Sequence, residues 1–540
     1  MPSLSRLLLG IGAFLIAFAA RGNAAEKPTL AAQIDQRIAD RLKEAKIAAS
    51  PLADDAEFLR RVYLDLSGRI PSYDQTVAFL DSKDKDKRAK LIDELLSRPE
   101  FGRQFGTNWR ELIVDRSEDQ KRIREGYSWD FIDWLAAGFN ADRGWDEMVR
   151  DMLTAEGDVK SKPASTFILA NLQNEFPRAE NVVGMAGTLF MGIAIRCAQC
   201  HDHPHIEDWK QDDFWGMAAF FTQVRNHDVP NGANLTRNFV LSEKTNPDAA
   251  KELYYMKKME RAGLLPPIAG PKAAVPTIAD PTKALRVVDA KFFHDSKPAF
   301  GSDEPYRPTF AAWLTSPKNP YFAKAAVNRL WAHFFARGLV NPVEDMGPNH
   351  PPSHPELLTL LETEFKAGKF QFKSLARAIC NSETYQRTSK PLKENADDKE
   401  LFSHQSLKQL TPDQTLDSLS VAVGRVPPQG KHREKSTESF ATKGSDDSPT
   451  EFSHGIPQFL QQMNSGFANN KPSSMLHLMT NGKSQDDAIA IYYLTVLSRK
   501  PKPEEVQKVN AYLKKVPNAQ DGFKDLYWAL LNSAEFIFNR

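Results

Sequence analysis

The sequence predicts a mainly α fold: two packed helical domains with a Pro-rich linker and few short strands. Three observations carry that expectation. Apolar residues recur at helical spacing over most of residues 28–222 and again over 309–540. Between them, residues 223–308 break the texture with "LLPPIAGPKAAVPTIADPTK", rich in Pro, Ala and Gly. With 41% hydrophobic residues in 540 positions, the chain can build at least two cores. The expected organisation is a leader over 1–24, an N-terminal helical domain over 28–222, a linker region over 223–308 and a C-terminal helical domain over 309–540.

The leader reads "MPSLSRLLLGIGAFLIAFAARGNAAEKP": Arg6, then an apolar run from Leu7 to Ala20, then small residues at Gly22, Ala24 and Ala25. This is the pattern of a bacterial-type secretory signal peptide cleaved near Ala24. An apolar run of about 14 residues falls short of the roughly 20 that span a bilayer, and no later run is longer. The expectation is export to the periplasm or cell surface, with no transmembrane span in the mature chain.

In the N-terminal domain, "DAEFLRRVYLDLSGRIPS" places Phe58, Leu59, Val62 and Leu66 on one side of a helix that Gly68 and Pro71 end. "DKDKRAKLIDELLSRPEF" opens as a solvated charge run and continues as a helix with Leu91, Leu95 and Leu96 inward. The aromatic set Phe101, Phe105, Trp109, Trp129, Phe131, Trp134, Phe139 and Trp145 reads mostly as ordinary core. Within the linker region, "VPNGANLTRNFVLS" predicts a short strand.

The clearest helix is "NPYFAKAAVNRLWAHFFARGLVNP". Asn319 caps it, Pro320 sits in its first turn, and Val327, Leu330, Trp331, Phe334 and Phe335 form its apolar stripe up to Gly338. Arg329, His333 and Arg337 share another face, either solvated or meeting a partner. "PPSHPELLTLLETEF" predicts a capping box from Ser353 to Glu356 with Pro355 in the first turn. Residues 425–452 are polar and predict a loop.

Chemistry concentrates in "GIAIRCAQCHDHPHIEDW", residues 192–209, which holds two of the three cysteines and three of the twelve histidines. Cys197, Cys200 and His201 spell C-x-x-C-H, the spacing at which two thiols add to the vinyl groups of one haem while the imidazole reaches its iron. Met185, Met191, Met217, His350 and His354 are the candidates for the opposite axial position. A second reading gives zinc to Cys197, Cys200, His203 and His205, with His201 and Asp202 in the same cluster. In a third, Cys197 and Cys200 form a disulfide and hold no cofactor at all, which export permits.

These segments together resemble a planctomycete-type secreted two-domain family, a cytochrome-like domain of unknown function 1549 followed by domain of unknown function 1553. The first is carried by "FLRRVYLDLSGRIPS", "RAKLIDELLSRPEFG", "CAQCHDHP" and "DDFWGMAAFF"; the second by "AAWLTSPKNPYFAKAAVNRLWAHFFARGLVNPVEDMG", "PPSHPELL", "SETYQRTS" and "DLYWALLNSAEFIFN". The resemblance implies a mostly helical exported protein with one C-x-x-C-H.

The functional expectation is a c-type haem protein in periplasmic or surface electron transfer, linked to polysaccharide breakdown. Its partners would be a redox protein or a polysaccharide-related substrate. Two other classes compete: a non-redox binding or scaffold protein in carbohydrate uptake with a structural C-x-x-C, and a metal-dependent hydrolase using His203, His205 and Asp202. With 70 basic and 69 acidic residues the formal charge is +1, which gives no electrostatic footprint for nucleic acid. The sequence has no Gly-rich phosphate loop, G-x-S-x-G elbow or H-E-x-x-H pair.

Overall fold

The structure, a computed structural model, describes residues 28–540 apart from 118–119, 172–177, 231–236, 244–256, 258, 262, 264–269, 278–282, 295–296, 299, 301–304, 439, 441–475 and 477–478. The leader expected over 1–24 lies outside these residues. The fold is mainly α, and among the described residues the strands form three small antiparallel sheets. No described helix is long and apolar enough to cross a membrane.

Helix Asp55–Ser67 is the hub. Its N-cap Asp54 accepts from the Glu57 amide, and Gly68, at φ +69°, closes its C-terminus where only a residue without Cβ sits unstrained. The expected face of Phe58, Leu59, Val62 and Leu66 is buried, but so is every other residue from Glu57 to Ser67. The polar ones are interior because other segments of the chain supply their partners. Arg61 donates to the carbonyls of Tyr385 (2.7 Å), Arg387 (2.9 Å) and Arg540 (2.9 Å) and to Glu57 (2.8 Å). Arg60 donates to the Val496 and Phe536 carbonyls. Asp65 accepts from Tyr385 Oη, Lys408 and Asn539.

Helices Lys87–Ser97 and Pro99–Ile113 pack on the hub, Ser128–Asn140 packs on Pro99–Ile113, and Trp145–Thr154 lies beyond them. Leu91, Leu95 and Leu96 point inward as their spacing requires, each such burial being worth roughly 1.5–3 kcal/mol. Phe101, Phe105, Trp109, Phe131, Phe139 and Trp145 are buried in the same core. The strand expected in the linker region forms as Arg237–Ser242, paired with Arg225–Pro230 on one side and Gly157–Asp158 on the other.

The larger core does not stop at the Pro-rich segment. It runs continuously from Ile34 to Phe402, taking in helices Tyr306–Leu314, Phe322–Phe335, Pro355–Ala367 and Phe372–Asn381. A second core joins Leu64 and Ile70 to residues from Leu410 to Phe536.

Several local expectations are corrected. Helix Phe322–Phe335 starts later than the Asn319 cap and ends earlier than the Gly338 stop expected for it: Asn319 Oδ1 accepts from the amides of Tyr321 and Phe322, and Ala336 turns left-handed at φ 61°. The face of Arg329, His333 and Arg337 finds its partners inside the chain: Glu344, the Asp65 carbonyl and Glu400 respectively. The capping box at Ser353 does not form. His354 is the N-cap of Pro355–Ala367, and the Ser353 hydroxyl is spent on the Leu339 carbonyl and the His354 ring. Within the expected polar loop 425–452, Gly430–Glu438 is helical, because Arg433 pairs with Asp413 (2.7 Å) and Asp417 (2.6 Å) in a buried charge cluster. Residues 441–452 lie outside the description.

Two outcomes follow from the buried ionic groups. Arg61→Met leaves Glu57 charged and unpaired in the interior, so chemical denaturation should show a loss of about 3–5 kcal/mol, with Arg61→Met/Glu57→Gln recovering part of it. His354 is 2% exposed, and burial holds its imidazole down at about 4. The unfolded chain therefore binds the extra proton between the ordinary imidazole range and pH 4, so this group's contribution is present above about pH 6.5 and is lost as pH falls through that window. The loss is on the order of 3 kcal/mol, and His354→Phe should flatten it in a pH series of urea midpoints.

Candidate functional site

The C-x-x-C-H turn follows an apolar stem. Helix Ala179–Ala186 widens into a π-turn over Gly187–Met191, a geometry that breaks the helical ladder locally. Gly192 then reverses the chain at φ +64°. A 3₁₀ turn over Ile195–Gln199 follows, with Ile195 and Ala198 buried and Cys197 exposed. Cys200 is exposed just beyond its end. Cys197 thus lies within the turn and Cys200 caps its C-terminus. Both cysteines are free.

The loop after the motif is held from below. The Gln199 carbonyl accepts from Gln211 Nε2 (3.1 Å) and from the Trp215 indole (2.9 Å). Asp202 Oδ1 accepts the Gln211 amide at 2.9 Å, at the start of helix Gln211–Ala218. That amide, followed by the neighbouring Lys210, keeps the Asp202 carboxyl below the usual range. The His203 amide donates to the Trp209 carbonyl, while Ile206 and Trp209 bury themselves beneath the turn.

The two central histidines differ in tautomer. His201 Nδ1 lies 2.6 Å from the Asp202 carbonyl oxygen, which can only accept. The proton therefore sits on Nδ1, and the Nε2 lone pair of this exposed ring is free. His203 Nδ1 instead faces two backbone donors, the amides of His205 (3.2 Å) and Ile206 (3.1 Å). It must accept, so the neutral ring carries its proton on Nε2 and offers neither nitrogen to a metal. Burial, opposed by Asp345 and aided by His205 and His201, holds His203 below the ordinary imidazole range. Asp202 is likewise engaged, by Gln211 and by Lys210 at 3.3 Å. Among the described residues, no three His, Cys, Asp or Glu side chains converge as a ready metal site.

The axial candidates separate in space. Met191 and Met217 are fully buried in the core, and Met185 is partly buried against it. His354 packs on Phe402 at a helix start, where its ring bonds Ser353. His350 bonds the Asp345 carbonyl, and the Asp345 carboxylate acts electrostatically on His203, so the segment bearing His350 is the one brought toward the motif.

Of that segment the sequence singled out His350 but neither Asp345 nor Met346. The Met346 amide donates to the Gly192 carbonyl at 2.6 Å. A Cβ on Gly192 would stand 2.8 Å from Met346 Sδ. "GLVNPVEDMG" carries no liganding signature of its own, and only the fold sets it beside the turn.

Two family models match the chain. PSCyt2, described as a protein of unknown function (DUF1549), covers residues 33–226, and PSD1, a protein of unknown function (DUF1553), covers residues 306–451. No curated protein and no solved structure matches.

Gly192→Ala combines a left-handed backbone with the Met346 contact. It should cost about 1–2 kcal/mol in a urea titration, whereas Gly126→Ala, whose added carbon meets nothing, should cost nothing measurable.

Proposed function

The chain belongs to the two-domain family in which DUF1549 precedes DUF1553, and for it we propose an exported c-type haem protein that passes electrons to a redox partner at the periplasm or cell surface. The observation that carries the reading is the donor set on one turn. Two exposed, unbridged thiols stand on and just beyond a 3₁₀ turn, and the next imidazole is held through Nδ1, which leaves its Nε2 lone pair free.

In this reading Cys197 and Cys200 anchor the porphyrin by thioether bonds, and His201 Nε2 ligates the iron. Bound haem supplies one-electron exchange without proton chemistry from the protein. The Asp202 carbonyl orients the His201 ring through Nδ1–H. The carbonyl of Gln199, tied to Gln211 and Trp215, keeps the turn rigid so that the three donors hold their spacing. The zinc and hydrolase alternatives draw on His203 and Asp202, of which His203 Nδ1 and Asp202 Oδ1 already accept backbone amides.

Protein purified from a host that matures c-type cytochromes should carry a covalent Soret-absorbing group that survives denaturation. Cys197→Ala/Cys200→Ala should remove it from the intact mass. His201→Ala should retain part of the covalent product with an altered spectrum. A colourless, iron-free chain two hydrogens lighter than its reduced mass would overturn the assignment.

A further inference from the structure

The turn bearing His350 closes against both flanks of the motif loop. Ahead of the motif, the Met346 amide donates to the Gly192 carbonyl at 2.6 Å. Behind it, a Cβ on Gly347 would stand 3.1 Å from Ile206 Cδ1 and 3.3 Å from the Trp209 indole, the two side chains buried beneath the motif loop. The Gly347 carbonyl in turn accepts the His350 amide at 2.9 Å. His350 is thus one backbone hydrogen bond removed from a residue that packs on the motif loop.

Within that turn Asp345 sets the imidazole. Its Oδ1 accepts the Gly347 amide (3.2 Å), its carbonyl accepts from His350 Nδ1 (3.3 Å), and its other carboxylate oxygen lies 3.6 Å from the same nitrogen. The proton therefore sits on Nδ1, and the Nε2 lone pair is left free on a side chain that is 31% exposed.

Metal-binding imidazoles almost always donate their other N–H to a carbonyl, a carboxylate or water. Among the described residues, His201 and His350 share one arrangement, Nδ1 on an aspartate carbonyl and Nε2 unengaged. The other candidates lack it. His203 accepts amides at Nδ1, His333 spends both ring nitrogens, and His294 spends Nε2 on the Asp208 carbonyl. His354 is buried beside Phe402, and Met191 and Met217 are fully buried in the core.

We propose that His350 Nε2 is the second axial ligand of the iron whose first is His201 Nε2, with Asp345 as its positioning residue; the inference rests on the haem reading above. Cys197–His201 lies in the segment that matches the first family model, residues 33–226, and His350 in the segment that matches the second, residues 306–451. The second domain thereby completes a centre begun on the first. Two protein imidazoles leave the iron no open position, which suits electron exchange and shuts out small ligands.

Holoprotein from a host that matures c-type cytochromes is compared with His350→Ala, His350→Gln, His205→Ala and Met346→Leu by intact mass, absorption and electron paramagnetic resonance, with carbon monoxide added to the reduced forms. The wild-type iron should be six-coordinate, low-spin and closed to carbon monoxide. Both His350 variants should keep haem in the intact mass, turn high-spin and bind carbon monoxide, and free imidazole should restore the low-spin spectrum. His205→Ala and Met346→Leu should stay low-spin. A high-spin wild type, a low-spin spectrum retained in both His350 variants, or a high-spin spectrum in His205→Ala or Met346→Leu overturns this ligand and leaves the haem reading standing. A chain that carries no covalent haem overturns both.

Discussion

The architecture depends on one helix whose charged residues are satisfied by distant chain. Within Asp55–Ser67, the ionised groups of Glu57, Arg60, Arg61 and Asp65 are all buried, and their partners come from residues 385–540. Buried ions of this kind contribute little net stability, because desolvation offsets most of the attraction. Their effect is on specificity. Beyond Glu57 on its own helix, Arg61 finds its acceptors only where the Tyr385–Arg387 turn and the Arg540 carbonyl arrive together, which ties the N-terminal helix to the C-terminal half. Both cores meet at this helix: Phe58, Leu59, Val62 and Leu66 belong to the larger and Leu64 to the smaller.

Much of the helical framework was legible in the sequence, because apolar periodicity and helix stops report burial directly. Gly68 ends its helix as expected, and Leu91, Leu95 and Leu96 face the core. The failures occur where a polar side chain has a choice of partner. Ser353 has the chemistry of a cap, yet the Leu339 carbonyl and the His354 ring take its hydroxyl. "KHREKSTE" has a loop's composition, but Arg433 and Glu434 are drawn into a cluster with Arg110, Arg116, Asp413 and Asp417. Local pattern does not encode which distant charge a residue will meet.

The candidate haem turn divides in the same way. Residue identity at Cys197, Cys200 and His201 is a local signal and was visible. The distinction between His201 and His203 was not, since it lies in which ring nitrogen meets a carbonyl and which meets an amide. His350 is visible as a histidine, but its place beside the turn rests on Gly347 packing against Ile206 and Trp209, far earlier in the chain, and no spacing announces it.

The reach of the hub bonds also governs the order of folding. Arg61 bonds residues 324, 326 and 479 positions later, and Arg60 bonds residues 436 and 476 positions later. A chain emerging from its N-terminus therefore presents this helix long before its acceptors exist. Until then Arg60, Arg61 and Asp65 stay hydrated, because burying them alone would cost several kcal/mol each. Such a delay opposes premature collapse of the N-terminal half, and contacts of this sequence separation make closure slow. The charges that fix the final geometry thus disfavour burial of this helix until residues 385–540 are present.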